Sequence, residues 1–331
     1  MPTKLGERIT SALLDRKVSQ QDVTELISAA KAEKKFTPEL SAELKALLTQ
    51  HRDAFEPLAR GALETFLSST STTVDLADPQ VLTKHATSVA WNPVGSGGSL
   101  YVDGINFDDV VQGSIANCYM VSAFASLAQQ NPAAIEQAIT DNHDGTWDVR
   151  FFELGDDGEY TKVTVKVDSD LPIEFGPTAK YGKARDPKEA WVSMLEKAYA
   201  QWKGGYEAIG NGGNSGDVFE ALTGRSPTFT STTYTPAERL FSQMTAAIAD
   251  HKPVTAGTHG KDSGVDYTGT GVFAWHAYSM LGTSEEAGVK YVQLRNPWGR
   301  TEPGSDGKDD GVFKMKLDDF MKLYNSVNIG G

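Results

Sequence analysis

"QGSIANCYM", residues 112–120, holds the only cysteine of a 331-residue chain, and an aromatic follows it directly. Beyond it the apolar positions Met120, Phe124 and Leu127 recur at helical spacing. Asn117 is a residue type that caps helices, so Cys118 is expected at a helix start. Unpaired backbone N–H groups there carry partial positive charge, which favours thiolate, the nucleophilic form. The plain alternative is a small buried hydrophobe, the commoner fate of a lone cysteine.

Three other residues bear on that choice. His276 lies in "VFAWHAYSML" (272–281), an apolar run expected to be a buried strand, where an unpartnered imidazole costs solvation energy. On its own it reads equally as a satisfied core histidine. Further on, "LRNPWG" (294–299) offers Asn296, whose amide oxygen can orient an imidazole tautomer, and Trp298, large enough to cover that bond. Gln112 precedes Cys118 in the same loop and can donate to an oxyanion beside the Cys118 N–H, or simply be solvated. Each signal is modest alone. In the order Gln, Cys, His, Asn they describe papain-like chemistry, with His and Asn farther from the cysteine than the roughly 130–150 residues of papain itself.

Composition narrows the classes. Hydrophobic residues make up 39% of the chain and charged ones 23%, enough for a substantial core. A net charge of −13 argues against a nucleic-acid partner, while acidic loops can hold a hard cation. One cysteine excludes an intramolecular disulfide and a multi-thiolate zinc site. The residues after Met1 lack the apolar core of a signal peptide, and no run approaches the ~18 apolar residues of a membrane span. A soluble, cytoplasmic protein is expected, with signal-less export left open; oligomeric state is not legible.

The pattern divides the chain into residues 1–70, a helical segment; 71–98, a linker; 99–225, a helical half bearing the cysteine; and 226–331, a sheet-rich half bearing His276 and Asn296. In the first segment Leu5, Ile9, Leu13 and Leu14 share a helical face, Ser19–Asp22 resembles a capping box, and Thr37 precedes a proline helix start. "SSTSTT" (68–73) and "GSGGS" (95–99) read as flexible points. "WDVRFFEL" and "YTKVTVKVD" alternate as a hairpin around "GDDGE", and 187–203 is strongly helical. Strands are expected in "KPVTAGTH", "HAYSMLGT", "VKYVQLRNPW" and "GVFKMKL".

Four motifs in order give the chain a family resemblance. "QGSIANCYMVSAFASLA" resembles the calpain segment around the catalytic cysteine, and "WVSMLEKAYAQWKGGYEAIGNGGNSGDVFEALTG" its long-helix block. "HAYSMLG" resembles the histidine strand, and "LRNPWG" the asparagine turn. Ala116-Asn117 stands for the family's Gly-Asp, Tyr119 for its Trp, and Trp275 for the Gly before its His. The resemblance implies an α+β, papain-like calpain core of two subdomains, with an extra helical N-terminal segment. It implies a cysteine endopeptidase acting on protein substrates: Cys118 as nucleophile, His276 as proton carrier, Asn296 as its orienter, Gln112 at the oxyanion and Trp298 in support. It implies Ca2+ held at one site by the carbonyls of Val102 and Gly104 with Asp109 and Glu189. A second site maps to Glu302, Asp309 and Asp310, with Val312 where the family has its last acidic ligand. A catalytically silent scaffold, or acyl transfer to an amine through the same triad, are the alternative readings.

Overall fold

The computed structural model describes residues 9, 17–32, 38–69, 76–86, 88–93, 99–142, 145–174, 178–304 and 306–331. Two compact units emerge, one of residues 1–76 with 141–146, the other of 77–140 with 147–331.

The first unit is built from helices α1 (Gln20–Ala32), α2 (Pro38–Gln50) and α3 (Pro57–Ser69). The capping box at α1 forms: the Ser19 N–H donates to Asp22 Oδ2 (2.8 Å), and the Asp22 N–H to Ser19 Oγ (3.3 Å). Val23, Leu26, Leu44, Leu63 and Phe66 make its core. Leu5, Leu13, Leu14, Thr37, residues 70–73 of the serine–threonine run and 95–98 of the glycine run lie outside the described residues. The segment between is not a free tether. Leu82 is buried in the second unit's core, the Tyr206 N–H donates to Gln80 O (2.8 Å), and Ala90–Pro93 pairs with Asp170–Ile173. Of the range read as linker, residues 76–86 and 88–93 are described, and Val81 and Leu82 pack on the second unit's core.

The second unit has two apolar cores. Helices α4 (Cys118–Gln130), α5 (Trp191–Lys203) and α6 (Ser215–Thr223) pack with the hairpin β1 (Thr146–Leu154) and β2 (Tyr160–Asp168) around Phe124, Phe151, Trp191 and Phe219. The other core lies under a six-stranded antiparallel sheet: β3 (Thr228–Ser231), β4 (Val254–Thr258), β5 (Ala277–Glu286), β6 (Val289–Arg295), β7 (Val312–Lys316) and β8 (Tyr324–Ile329), in the spatial order β7-β6-β5-β4-β8-β3. Helices α7 (Ala237–Ala249) and α8 (Leu317–Leu323) cover it through Leu240, Met244 and Phe320. One departure matters for the site. The run 272–275 is loop rather than strand, because Trp275 takes a left-handed backbone (φ 57°) and β5 starts only after His276.

Candidate active site

Cys118 is the first residue of α4, behind Asn117 at the N-cap position. The Asn117 side chain does not cap the helix. Its Nδ2 donates to Glu196 Oε1 at 2.6 Å, because the fully buried Glu196 needs donors and also takes the Gly182 N–H (2.8 Å). Burial still pushes the Glu196 carboxyl up to about 7. The Cys118 thiol feels opposing forces: burial pushes it up, while the N–H groups of Ala277, Tyr119 and Cys118 pull it down. Burial wins, so the helix start offers stabilisation without by itself producing a resting thiolate.

His276 shares one cleft of about 560 Å3 with Cys118. Its Nε2 lies 2.9 Å from Asn296 Oδ1. The amide orientation follows from its other bonds: Asn296 Nδ2 donates to Thr301 O (2.9 Å) and Oδ1 accepts the Trp298 N–H (3.2 Å). Oδ1 can only accept, so Nε2 carries the proton and Nδ1 is left as the basic nitrogen. The Trp298 ring lies 4.7 Å from the imidazole, centroid to centroid, with Phe273 packed on that indole at 4.5 Å. This dry cover pushes His276 down to about 4, against the Asn296 bond that raises it. Cys118 and His276 are not hydrogen-bonded to each other.

Gln112 sits elsewhere. Its backbone N–H donates to Pro297 O (2.8 Å), tying the cysteine loop to the asparagine turn, and its Nε2 donates to Ile115 O (2.7 Å). The side chain lines a neighbouring cavity with Trp298 and Gly299, not the Cys118–His276 cleft. Gly113 has a steric role: a Cβ there would lie 2.2 Å from Tyr181 O.

Of the residues mapped to the first cation site, the structure brings Asp109 and Glu189 together and adds Asp103; one oxygen of each lies within 4.8 Å of the others. Glu189 Oε1 accepts the Val102 N–H (3.1 Å), and its Oε2 is buried without a hydrogen-bond partner. Burial pushes Glu189 up to about 7, with the charges of Asp109 and Asp103 adding to the rise. Asp109 is likewise raised by burial, although the Asn106 N–H and Trp191 Nε1–H bond its Oδ2. Crowded carboxylates with an orphaned buried oxygen are what a bound cation relieves, and an all-oxygen donor set fits calcium. Val102 and Gly104 flank Asp103 in the same turn, and Gly104 has the positive φ (102°) that lets the chain double back. At the second mapped site each acid is spent locally: Asp309 accepts the Thr301 N–H, Glu302 the Gly311 N–H and Asp310 the Val312 N–H. Among the described residues, these three do not converge as the first cluster does.

Sequence reasoning gave no role to four residues that shape this region: Asp103, Glu196, Trp275 and Arg295. Arg295 is fully buried and its Nη2 donates to Val110 O (2.8 Å) and Asp108 O (3.3 Å), bridging the asparagine turn to the acidic loop. Its position beside Asn296 was the available signal.

Residues 64–307 match the family model described as calpain family cysteine protease. The chain belongs to that family. Calpain-12 of Mus musculus is 33% identical over 250 residues, covering 67% of this chain and 34% of the relative. The calpain-type cysteine protease DEK1 of Zea mays is 33% identical over 262 residues, 70% of this chain and 12% of the relative. Calpain-A of Drosophila melanogaster is 27% identical over 281 residues, 73% of this chain and 32% of the relative. The chain thus spans about a third or less of the length of these calpains. No helix among the described residues is long and apolar enough to cross a membrane.

Proposed function

We propose that the chain is a calcium-dependent cysteine endopeptidase acting through Cys118, His276 and Asn296. The observation that carries this reading is the His276–Asn296 bond under Trp298, in one cleft with a cysteine at a helix start. Cys118 Sγ attacks the peptide carbonyl carbon as its proton passes to His276 Nδ1. Asn296 holds Nε2–H, so the ring stays in the tautomer that leaves Nδ1 free to accept. The Cys118 N–H and a Gln112 side chain turned from Ile115 O are the donors for the oxyanion. His276 returns the proton to the leaving amine as the C–N bond breaks, and water hydrolyses the thioester. Neutral thiol and neutral imidazole are the resting forms here, and ion-pair formation belongs to a state in which the two are brought into hydrogen-bond contact.

Asp103, Asp109 and Glu189, with the Val102 and Gly104 carbonyls, are the groups that would hold Ca2+. When bound it would supply positive charge that neutralises the cluster and orders the 102–109 loop. Glu302, Asp309 and Asp310 are a weaker second set. The test is cleavage of an unstructured protein such as casein, with calcium and with chelator, by wild type and Cys118→Ala. Calcium-dependent cleavage abolished by the substitution is the expected result. Cleavage that survives in Cys118→Ala would overturn the nucleophile, and equal cleavage in chelator would overturn the calcium dependence.

A further inference from the structure

We propose that Trp275 is a specificity-determining residue, a fixed indole platform at the cleft that selects substrates with an aromatic or large apolar side chain beside the bond to be cut. The inference rests on the protease reading of the same cleft. Trp275 immediately precedes His276 and lines the same cleft as Cys118 and His276. Its backbone is left-handed (φ 57°), a conformation that bulky residues adopt only at a cost. The side chain is 71% exposed, so burial does little to offset that cost.

The indole is nevertheless held in place. A Cβ added at Gly260 would lie 2.4 Å from Trp275 Nε1 and 3.1 Å from Cε2, so the ring rests against the bare Gly260 backbone and a side chain there would displace it. The Trp275 N–H donates to His259 O (3.0 Å) and fixes the strained peptide to the same loop. A second exposed aromatic, Phe229, lines the cleft at 62% exposure. The remaining wall is glycine, asparagine, serine and threonine around Tyr119 and Ala277, with no Asp, Glu, Lys or Arg. Such a surface offers stacking and apolar contact to a substrate side chain and no partner to a charged one.

The experiment compares wild type, Trp275→Phe and Trp275→Gly on a set of quenched peptides in calcium, each placing Phe, Leu, Ala or Asp in turn at positions flanking the cleaved bond. Wild type should prefer Phe and Leu over Ala at one flanking position. Trp275→Gly should shrink that kcat/KM ratio roughly tenfold, the order an aromatic contact and its burial provide, and Trp275→Phe should keep most of it. Melting curves control for folding, and Trp275→Gly should melt close to wild type because strain is removed with little loss of buried area. An unchanged ratio in Trp275→Gly would overturn the platform while leaving the protease reading intact. If no variant cleaves, the protease reading fails, and anisotropy of the labelled peptides with Cys118→Ala and Cys118→Ala/Trp275→Gly decides the platform. Aromatic-selective binding lost in the double variant supports it; equal binding overturns it.

Discussion

Replacing Asn296 by alanine removes the group that fixes the proton on His276. The imidazole is 8% exposed and its Nε2–H has the 2.9 Å bond to Oδ1 as its partner. Losing a partner for a buried donor costs about 1–3 kcal/mol. Rotation of the ring or a change of tautomer recovers part of that in the ground state, but the first moves Nδ1 and the second protonates it, so neither leaves it able to take the thiol proton. If the loss falls on the transition state, kcat/KM should drop about 5- to 150-fold, at 1.36 kcal/mol per factor of ten. The substitution also frees the Trp298 N–H and Thr301 O, so thermal melting is needed to separate a loosened turn from a misdirected base. Asn296→Asp sharpens the test. It keeps an acceptor for Nε2–H and puts negative charge beside the ring, which favours imidazolium and should move the acid limb of the pH–rate profile upward. Casein cleavage across pH by the three proteins is the assay. An alanine variant that folds and retains full kcat/KM would refute the orienting role.

The acidic cluster predicts that Glu189→Gln weakens calcium binding at least tenfold by isothermal titration while preserving the bond from the Val102 N–H. In wild type, calcium binding should release protons near pH 7, because Glu189 titrates at about 7 and a cation requires it ionised. His276 predicts acid sensitivity of the fold itself. Its native value, about 4, lies below the ordinary 6.5, so as pH falls through 6.5 the unfolded chain takes up a proton that the native chain refuses. Stability is undiminished by this residue above pH 6.5 and declines by about 3 kcal/mol towards pH 4; denaturant titrations of wild type and His276→Gln should differ in slope across that window. Gly113→Ala should depress melting and activity together, since its Cβ would fall 2.2 Å from Tyr181 O and the cysteine loop must shift; retention of both would refute the packing argument.

What was legible in the chain tracks how local the determining physics is. The start of α4 shows in its apolar period, and the hairpin strands in their alternation. β8 does not show, because "YNSVNI" carries Asn325, Ser326 and Asn328, polar residues that line the cleft while the strand lies between β4 and β3 in the sheet. The break before β5 was hidden for a related reason: a tryptophan in an apolar run suggests burial, and only the backbone reveals that this one is left-handed and exposed. Asn117 has a residue type that favours capping, but its side chain caps nothing here. Its actual partner, Glu196, lies 79 residues on, and nothing in either neighbourhood announces the other. Asp103 sits between two residues assigned as carbonyl ligands, so its own carboxylate was overlooked.

Polar side chains bridge the seam between the two halves. Apart from Ala277, the core around α4 and α5 takes no residue from the sheet, so the apolar cores are separate. Hydroxyls join them: Ser122 Oγ donates to Ala277 O (2.9 Å), Ser279 Oγ to Ser122 O (2.8 Å) and Ser126 Oγ to Val254 O (2.9 Å), while the Val254 N–H donates to Ser126 Oγ (2.7 Å). Parting the halves would exchange these bonds for bonds to water, at about 1 kcal/mol each. The Gln112 N–H to Pro297 O bond (2.8 Å) and the Gln130 Nε2 to Leu281 O bond (3.4 Å) cross the same seam. The acidic cluster lies wholly in the cysteine half and reaches the asparagine turn through Arg295 at Val110 O and through Arg185 Nη2 at Gly299 O (3.0 Å). A charge change at Asp103, Asp109 and Glu189 would therefore act on a loop already bonded to the turn that carries Asn296.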